Sequence, residues 1–416
     1  MPAHYDRLET RSPQSRETAS YRALRAILGI ARHRAPALRA QVKGVDLARL
    51  SGPAALAQVP PIRKSDLMRL QKEAAPFGGL ATTKPGHLRR LLVSPGPIFE
   101  PEGAGKDWWG AARAFFAAGL RKGDIVHNSF SYHLTPGAHI MESGCAAIGA
   151  AVIPGGVGQT EQQVEAIEML RPNFYAGTPD FLKVLLDKGK EMGSDVSSIK
   201  RALVSGAALP PSLRQELAER GVVVRQCFAT ADLGVIAYEC DDDEGALAPG
   251  MIVNEGLIFE IVRPGASEPV AEGEVGEIVV TRLNADYPLL RFATGDLTKQ
   301  ISGLSPCGRT NMRIAGWMGR ADQTTKVKGM FVHPSQVAEI ARRHPELGRL
   351  RLIVTRENEQ DAMTLRAETG KPGDGLKASV ADSLQSLTKL RGKVELVAPG
   401  ALPDDGKTIA DERPVG

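Results

Sequence analysis

The sequence predicts an α/β protein: a large N-terminal domain of mixed and parallel sheets with a small barrel-like β portion, then a small α+β C-terminal cap. Three observations lead there. From residue 107 to residue 230, helical segments alternate with short apolar strands, the pattern of a parallel sheet flanked by helices. After residue 245 the periodicity drops to two, with glycine between the runs, as in antiparallel meander or barrel strands. From about residue 323 the order is strand, helix, strand, strand, helix, strand, which fits a ferredoxin-like cap. A chain of 416 residues accommodates two or three domains. The expected division is an N-terminal domain over 1–321 and a mobile cap over 322–416.

In chain order, residues 15–42 repeat apolar residues at three and four and read as helix. Pro60 and Pro61 stop the chain, and Ser65 can cap a helix starting at Asp66. Residues 80–107 are rich in glycine and proline and read as irregular. The segments DWWGAARAFFAAGL, GAHIMESGCAAIGA, EQQVEAIEMLR, DFLKVLLDKGKEM and SLRQELAERG read as helices. Between and after them, DIVHNSF, AVIPGG, NFYAGTP, KRALVSGAA and VVVRQCFAT read as strands. GLIFEIVRP, GEVGEIVVTRL and YPLLRFATGDL supply the period-two strands.

Composition excludes several classes. Lys and Arg number 52 against 48 Asp and Glu, a near balance that gives no electrostatic case for nucleic acid as a partner. No run of about 18 apolar residues occurs, so no membrane-spanning helix is expected. The first residues, MPAHYDRLETRSPQSRE, are polar and lack the apolar stretch of a signal peptide. Cys145, Cys227, Cys240 and Cys307 are few and far apart, which fits a reduced, cytoplasmic setting better than a disulfide framework.

Six stretches carry candidate chemistry. In RFATGDL, a Thr-Gly-Asp at a strand end puts the Asp296 carboxylate on a tight turn, where it can accept both hydroxyls of a ribose; the plainer alternative is an ordinary Gly-Asp turn. In QCFATADLG, ligands of such sheets gather at the carboxyl ends of strands, so Phe228 could stack on a base and Asp232 could hold magnesium. A buried Phe and a helix-capping Asp read equally simply. SGAALP (205–210) offers small residues for close approach to a flat ligand or for tight packing, and GGVGQT (155–160) resembles a phosphate nest only loosely. GRADQTTKVKGMFVHPSQ suits a hinge or a plain linker. Lys407, in PDDGKTIADER, would mean nothing as an isolated surface lysine.

These stretches occur in one order, and together they resemble the phenylacetate–CoA ligase family of the adenylate-forming superfamily. The resemblance covers nearly the whole chain. It rests on YDRLE, PPIRKSDL, GGVGQTEQQVE, AGTPDFL, SGAALPPSLR, CFATADLGVIAYEC, PLLRFATGDLT, CGRTNMRIAGWMGRAD and VHPSQVAEI; CGRT followed by GRAD and VHPSQ is specific to this family. It implies that ATP, Mg²⁺ and coenzyme A serve a small, phenylacetate-like carboxylic acid, first adenylated and then passed to the CoA thiol. It also implies roles. Gly206, Ala207 and Ala208 form the adenine loop, and Phe228, Ala229 and Thr230 the aromatic strand end, with Asp232 as the magnesium carboxylate. Asp296 and Arg320 contact the ribose, Asp322 is the hinge, and Tyr132 lies near the acyl pocket. Lys407 bridges the acid and the α-phosphate. A homodimer is common among similar proteins.

The chain departs from the family pattern in places. Where the family has a Ser/Thr/Gly-rich phosphate loop ending Gly-Lys-Pro, VSPGPIFEPEGAG stands from Val93 to Gly105, without the paired threonines or the lysine. Ala208 replaces the adenine-loop glutamate, and Asp232 a longer one. Cys240 and Cys307 persist from a zinc cluster whose other places hold Ser305 and Ile252, and they read as small buried hydrophobes. Two alternatives therefore stay open: a homologue that binds nucleotide or acyl ligand without activating it, and an adenylating enzyme with an acceptor other than CoA.

Overall fold

A computed structural model describes residues 3–414 except 265, 319, 322, 324, 333, 358–359 and 404–406. The chain divides into two compact units, Met1–Met318 and Gly319–Gly416. Among the described residues no helix is long and apolar enough to cross a membrane.

The first unit is organised by a nine-stranded sheet. Its parallel half runs Val223–Thr230, Arg201–Val204, Phe174–Gly177, Ile125–Asn128 and Ala151–Ile153. The inner strands Arg201–Val204, Phe174–Gly177 and Ile125–Asn128 are largely buried, and helices such as Gly137–Ile148, Thr160–Leu170, Pro179–Met192 and Pro211–Glu219 link the strands of this half, as the alternation predicts. Beyond Val223–Thr230 the sheet turns antiparallel through Gly234–Tyr238, Met251–Val253, Arg313–Ile314 and Gln300–Ile301. A large apolar core containing Trp109, Phe115, Phe174, Tyr238 and Phe292 underlies it. The portion expected as barrel-like is a four-stranded sheet in the order Ile62–Arg63, Phe292–Thr298, Gly276–Arg282, Leu257–Val262.

The second unit holds a four-stranded mixed sheet of Lys393–Val397, Gln360–Glu368, Leu350–Glu357 and Ile409–Asp411. Helices Pro334–Arg343 and Asp374–Thr388 and a short hairpin, Thr325–Val327 with Met330–Val332, complete it. Val332, Ile340, Leu352, Leu365, Val380 and Leu384 belong to its own apolar core.

Three local readings change in the structure. The helix expected over 15–42 is two, Pro13–Arg34 and Pro36–Gln41, because Pro36 has no N–H to continue the first and sits well at the start of the second. DWWGAARAFFAAGL is helical only over Ala112–Ala117. The irregular stretch at 80–107 contains a hairpin, Arg90–Ser94 against Ile98–Glu102, closed by Pro95, Gly96 and Pro97. Its position is fixed by Gln71, which donates to the Phe99 carbonyl at 2.8 Å and accepts from the Phe99 N–H at 2.9 Å.

Gly234 has a backbone φ of +79°, and a Cβ there would lie 2.2 Å from the Trp109 carbonyl oxygen. That carbonyl accepts from Val235 at 2.9 Å, so it cannot retreat without cost. Gly234→Ala is expected to lower unfolding free energy by at least about 2 kcal/mol in urea denaturation, through left-handed strain and the clash together.

Candidate active site

The carboxyl ends of the parallel strands come together on one side of the sheet. The Ser129 N–H donates to the Ala176 carbonyl at 2.7 Å, and the Gly156 N–H to Asn128 at 3.0 Å. Gly206 follows the strand Arg201–Val204 at φ +77°, with Phe130 and Thr178 within 4 Å of where its Cβ would be. So the loops after four strands share a rim, where ligands of such sheets bind. The last glutamine of GGVGQTEQQ, Gln163, holds this rim: its amide donates to the carbonyls of Gly156 at 3.1 Å and Gly158 at 2.6 Å. Its oxygen meets His127 Nε2 at 2.7 Å. Burial pulls His127 below its ordinary pKa, keeping the ring neutral.

Tyr132 is on the loop after Ile125–Asn128, and its hydroxyl accepts from Asn128 Nδ2 at 2.9 Å. Burial, with Glu142 adding, raises its pKa, so the phenol stays protonated. Phe228, Ala229 and Thr230 end the strand Val223–Thr230, all half-buried. The strand runs through a turn at 231–233 into Gly234–Tyr238, and the Leu233 N–H donates to Thr230 Oγ1 at 3.3 Å. Asp232 is therefore on a hairpin turn and caps no helix.

That turn is clamped from behind. Arg282 donates to the carbonyls of Asp232 at 3.1 Å and Trp108 at 2.7 Å, and its guanidinium lies 3.7 Å from the Trp108 ring centroid. In front, Lys64 Nζ meets Asp232 Oδ2 at 2.6 Å, with the Asp232 side chain 1% exposed. Burial alone would lower the Lys64 pKa; Asp232 outweighs it, aided by Glu100 and Asp296, and the net direction is up. Lys64, Asp232, Glu100 and Asp296 thus form one charge cluster.

Asp296 reaches the cluster from the four-stranded sheet. The Thr-Gly-Asp does not close a turn at a strand end. It lies inside the strand Phe292–Thr298, where the pairing skips from Glu277↔Leu297 to Val279↔Ala293 and Gly295 takes φ +77°. Such a bulge re-aims the side chain that follows it. The Asp296 N–H donates to Thr294 Oγ1 at 3.1 Å, and Oδ1 accepts from the Trp317 indole at 3.0 Å.

Sequence reasoning missed Lys64 and Glu100. Lys64 stood in PPIRKSDL, but only the turn Lys64–Asp66 after strand Ile62–Arg63 brings it to Asp232. Glu100 is on the hairpin that stands where a phosphate loop would be. It accepts from the Ser94 N–H at 3.1 Å and Oγ at 2.5 Å. Burial pushes its pKa up to about 8, with Asp232 adding and Ser94 and Lys64 opposing.

The second unit carries Arg320, half-buried, and Lys407, exposed. Asp322 lies outside the described residues. Cys145, Cys227, Cys240 and Cys307 are all buried. A separate cavity of about 420 Å³ is lined by Trp108, Trp109, Arg282 and Leu233 among others, and by none of the residues expected to hold nucleotide.

For magnesium the fit rests on one atom. Asp232 Oδ1 is buried without a hydrogen-bond partner, and a cation would satisfy it. No group of three His, Cys, Asp or Glu capable of holding a metal occurs among the described residues. A magnesium ion here would take one protein oxygen and draw its other ligands from phosphate and water, its ordinary habit.

Comparison with known proteins gives this geometry a lineage. The model of the AMP-binding enzymes matches residues 112–284, and that of the AMP-binding enzyme C-terminal domain matches 329–413. The chain belongs to this family of adenylate-forming enzymes. Its relatives include several phenylacetate–coenzyme A ligases. That of Thermus thermophilus is 29% identical over 343 residues, covering 79% of this chain and 75% of its own. That of Aromatoleum evansii is 27% identical over 400 residues, covering 89% and 88%. Among solved structures, a 2-hydroxyisobutyryl-CoA ligase in complex with 2-HIB-AMP and CoA shares the fold, with a TM-score of 0.84 at 24% identity over 100% of this chain and 93% of that one.

The Glu100 pKa sets a pH dependence. The unfolded chain releases this proton near pH 4.5, whereas the folded protein keeps it to about 8. The folded state then binds the extra proton between those values, so its stability falls as pH rises across that window. Glu100→Gln is expected to gain on the wild type by up to about 1.4 kcal/mol per pH unit across it and to run parallel above. Paired urea titrations at pH 5, 7 and 9 check this; a constant difference would contradict it.

Proposed function

We propose that this chain is an AMP-forming CoA ligase for a small aromatic carboxylic acid. The observation that carries the reading is the convergence of Asp232 and Asp296 on one cluster at the strand-end rim, within a chain of the adenylate-forming family. The phenylacetate–coenzyme A ligase relatives support the substrate class.

Two steps follow. The acid's carboxylate oxygen attacks the α-phosphorus of ATP, the bond to pyrophosphate breaks, and a mixed anhydride with AMP forms. The CoA thiolate then attacks the acyl carbon, and AMP leaves. A carboxylate is a poor acyl donor and AMP a good leaving group, which is why the nucleotide is spent. Asp296 accepts the ribose hydroxyls, with Arg320 as the second ribose contact. Phe228 stacks on adenine beside the backbone of Gly206, Ala207 and Ala208, and Ala229 and Thr230 line the same face. Asp232 Oδ1 would hold magnesium, whose charge neutralises the phosphates when bound. Tyr132 borders the acyl pocket. Lys407 neutralises charge where two anions must approach, and Asp322 is the hinge about which the C-terminal cap exchanges Lys407 for a face that admits CoA.

A second reading has its own support. The hairpin offers few donors to phosphates, because Pro95 and Pro97 have no N–H and both Ser94 donors go to Glu100. This favours a homologue that binds without activating. Pyrophosphate release from ATP with a panel of phenylacetate, benzoate and 2-hydroxyisobutyrate separates the two. The ligase reading expects release with an aromatic acid and thioester only when CoA is added. Release with the aliphatic acid alone would move the substrate class, and release with none would favour the binding homologue.

Lys407→Ala is expected to slow acyl-adenylate formation about 10²–10³-fold, as for loss of one positioned transition-state donor. Thioester formation from supplied acyl-AMP should stay close to wild type. Equal loss in both half-reactions, read by quenched-flow product analysis, would make the lysine structural.

A further inference from the structure

We propose that Lys64 is the cation that receives the β- and γ-phosphates of the nucleotide in this chain, and that it does so by exchanging its place on Asp232 with the metal. The inference rests on the ligase reading and assigns that site a residue that the sequence motifs left unplaced.

The need for such a cation is visible in the hairpin. Where the family resemblance places a phosphate loop, the turn is Pro95, Gly96 and Pro97, and only Gly96 has a backbone N–H. The remaining donors nearby, the N–H and hydroxyl of Ser94, are both committed to Glu100. A triphosphate entering here would meet two carboxyl groups, Glu100 and Asp232, and almost no donors. Phosphate oxygens need positive charge close by, and an ammonium is a common way to supply it.

Lys64 is built into position for this. The strand Ile62–Arg63 pairs in parallel with Phe292–Thr298, in the register Ile62↔Phe292 and Arg63↔Ala293, so Lys64 follows directly beside the bulge that carries Asp296. Arg63 fixes the strand by a bidentate bond to Glu277, at 2.9 and 3.1 Å. The helix Leu67–Glu73 that follows Lys64 holds the hairpin through Gln71. One short segment therefore ties the lysine to the hairpin and to the Asp296 strand. Its side chain is 18% exposed, against 1% for Asp232. Of the two side chains, that of Lys64 is the one with surface open to solvent.

The exchange follows from charge. Asp232 is almost wholly buried, and leaving it without a cation would be costly. Lys64 can move to the phosphates only if another cation takes over. Oδ1, buried and without a hydrogen-bond partner, is the atom that can receive it. A metal arriving on the nucleotide satisfies Asp232 as the lysine turns to the phosphates. Before nucleotide binds, the same ion pair repels metal from Asp232.

Calorimetry with ATP, AMP and Mn²⁺ on the full-length protein tests both halves. Lys64→Met is expected to weaken ATP binding about 10–100-fold, the loss of charge-assisted bonds, and to leave AMP binding within about 2-fold. Without nucleotide, Lys64→Met should bind Mn²⁺ about 10-fold more tightly than the wild type, because Asp232 has lost its internal cation. Lys64→Arg keeps the cation and should show no gain in Mn²⁺ affinity. Should Lys64→Met fold poorly around an unpaired carboxylate, Lys64→Met with Asp232→Asn removes both charges. That double variant should still lose ATP selectively and should bind no added Mn²⁺. Unchanged ATP affinity, an equal loss for ATP and AMP, or Mn²⁺ affinity unmoved by Lys64→Met would overturn the proposal. Failure of the ligase reading looks different: the wild type would then release no pyrophosphate from ATP with any acid, whether or not it binds nucleotide, while the Mn²⁺ comparison would still report on the ion pair.

Discussion

The buried ion pair between Lys64 and Asp232, 2.6 Å long, is the constraint around which the rest of the site is arranged. A carboxylate 1% exposed needs a cation, and the chain brings one from 168 residues away. The partners come from different sheets. Asp232 sits on the turn between two strands of the nine-stranded sheet, with Arg282 gripping its carbonyl. Lys64 follows an edge strand of the four-stranded sheet, alongside the bulged strand of Asp296. The ion pair thus joins the two sheets at the proposed site. Gly234 and its close approach to Trp109 set the turn that makes this geometry reachable.

Several of the motif strings that mark the family serve the scaffold. Glu9 of YDRLE, 2% exposed, accepts from Arg309 of CGRT at 2.6 Å and from the Tyr238 hydroxyl at 2.7 Å. The N-terminal segment is thereby pinned to a loop some 300 residues on, beneath the strand that leaves the Asp232 turn. Arg291 of PLLRFATGDL is fully buried. It meets Glu260 at 3.0 Å and donates to the carbonyls of Ala57 at 3.0 Å, Val59 at 2.6 Å and Ser267 at 2.9 Å. It closes a polar gap between the four-stranded sheet and the segment leading to Lys64. In this chain the arginine of that motif supports the scaffold beside the bulged strand that carries Asp296.

The alternation of helices and apolar strands was legible because fully buried parallel strands must be apolar and need helical crossovers. The carboxyl-end location of the proposed site follows from that topology. Less legible were features that depend on pairing between distant strands. The Thr-Gly-Asp reads as a turn from local chemistry, since glycine permits it; only the register slip against Gly276–Arg282 shows it to be a bulge. The hairpin at Arg90–Glu102 was hidden because its prolines signal irregular chain, whereas here they close a three-residue turn. Lys64 carried no local signal for its role, because its partner is set by the four-stranded sheet. Glu100 was equally silent, as a carboxyl in a stretch defined by what it lacks.

Nucleotide binding by the strand-end cluster is the claim on which the functional account stands. Calorimetric titration of ATP into wild type and Asp296→Ala, with thermal melts of both, tests it most directly. The account predicts saturable binding to the wild type, weakened by about 1.5–3 kcal/mol in the variant as hydrogen bonds to a charged acceptor are lost, with little change in melting temperature. Equal ATP affinity in the two proteins would take Asp296 out of the site and contradict the account.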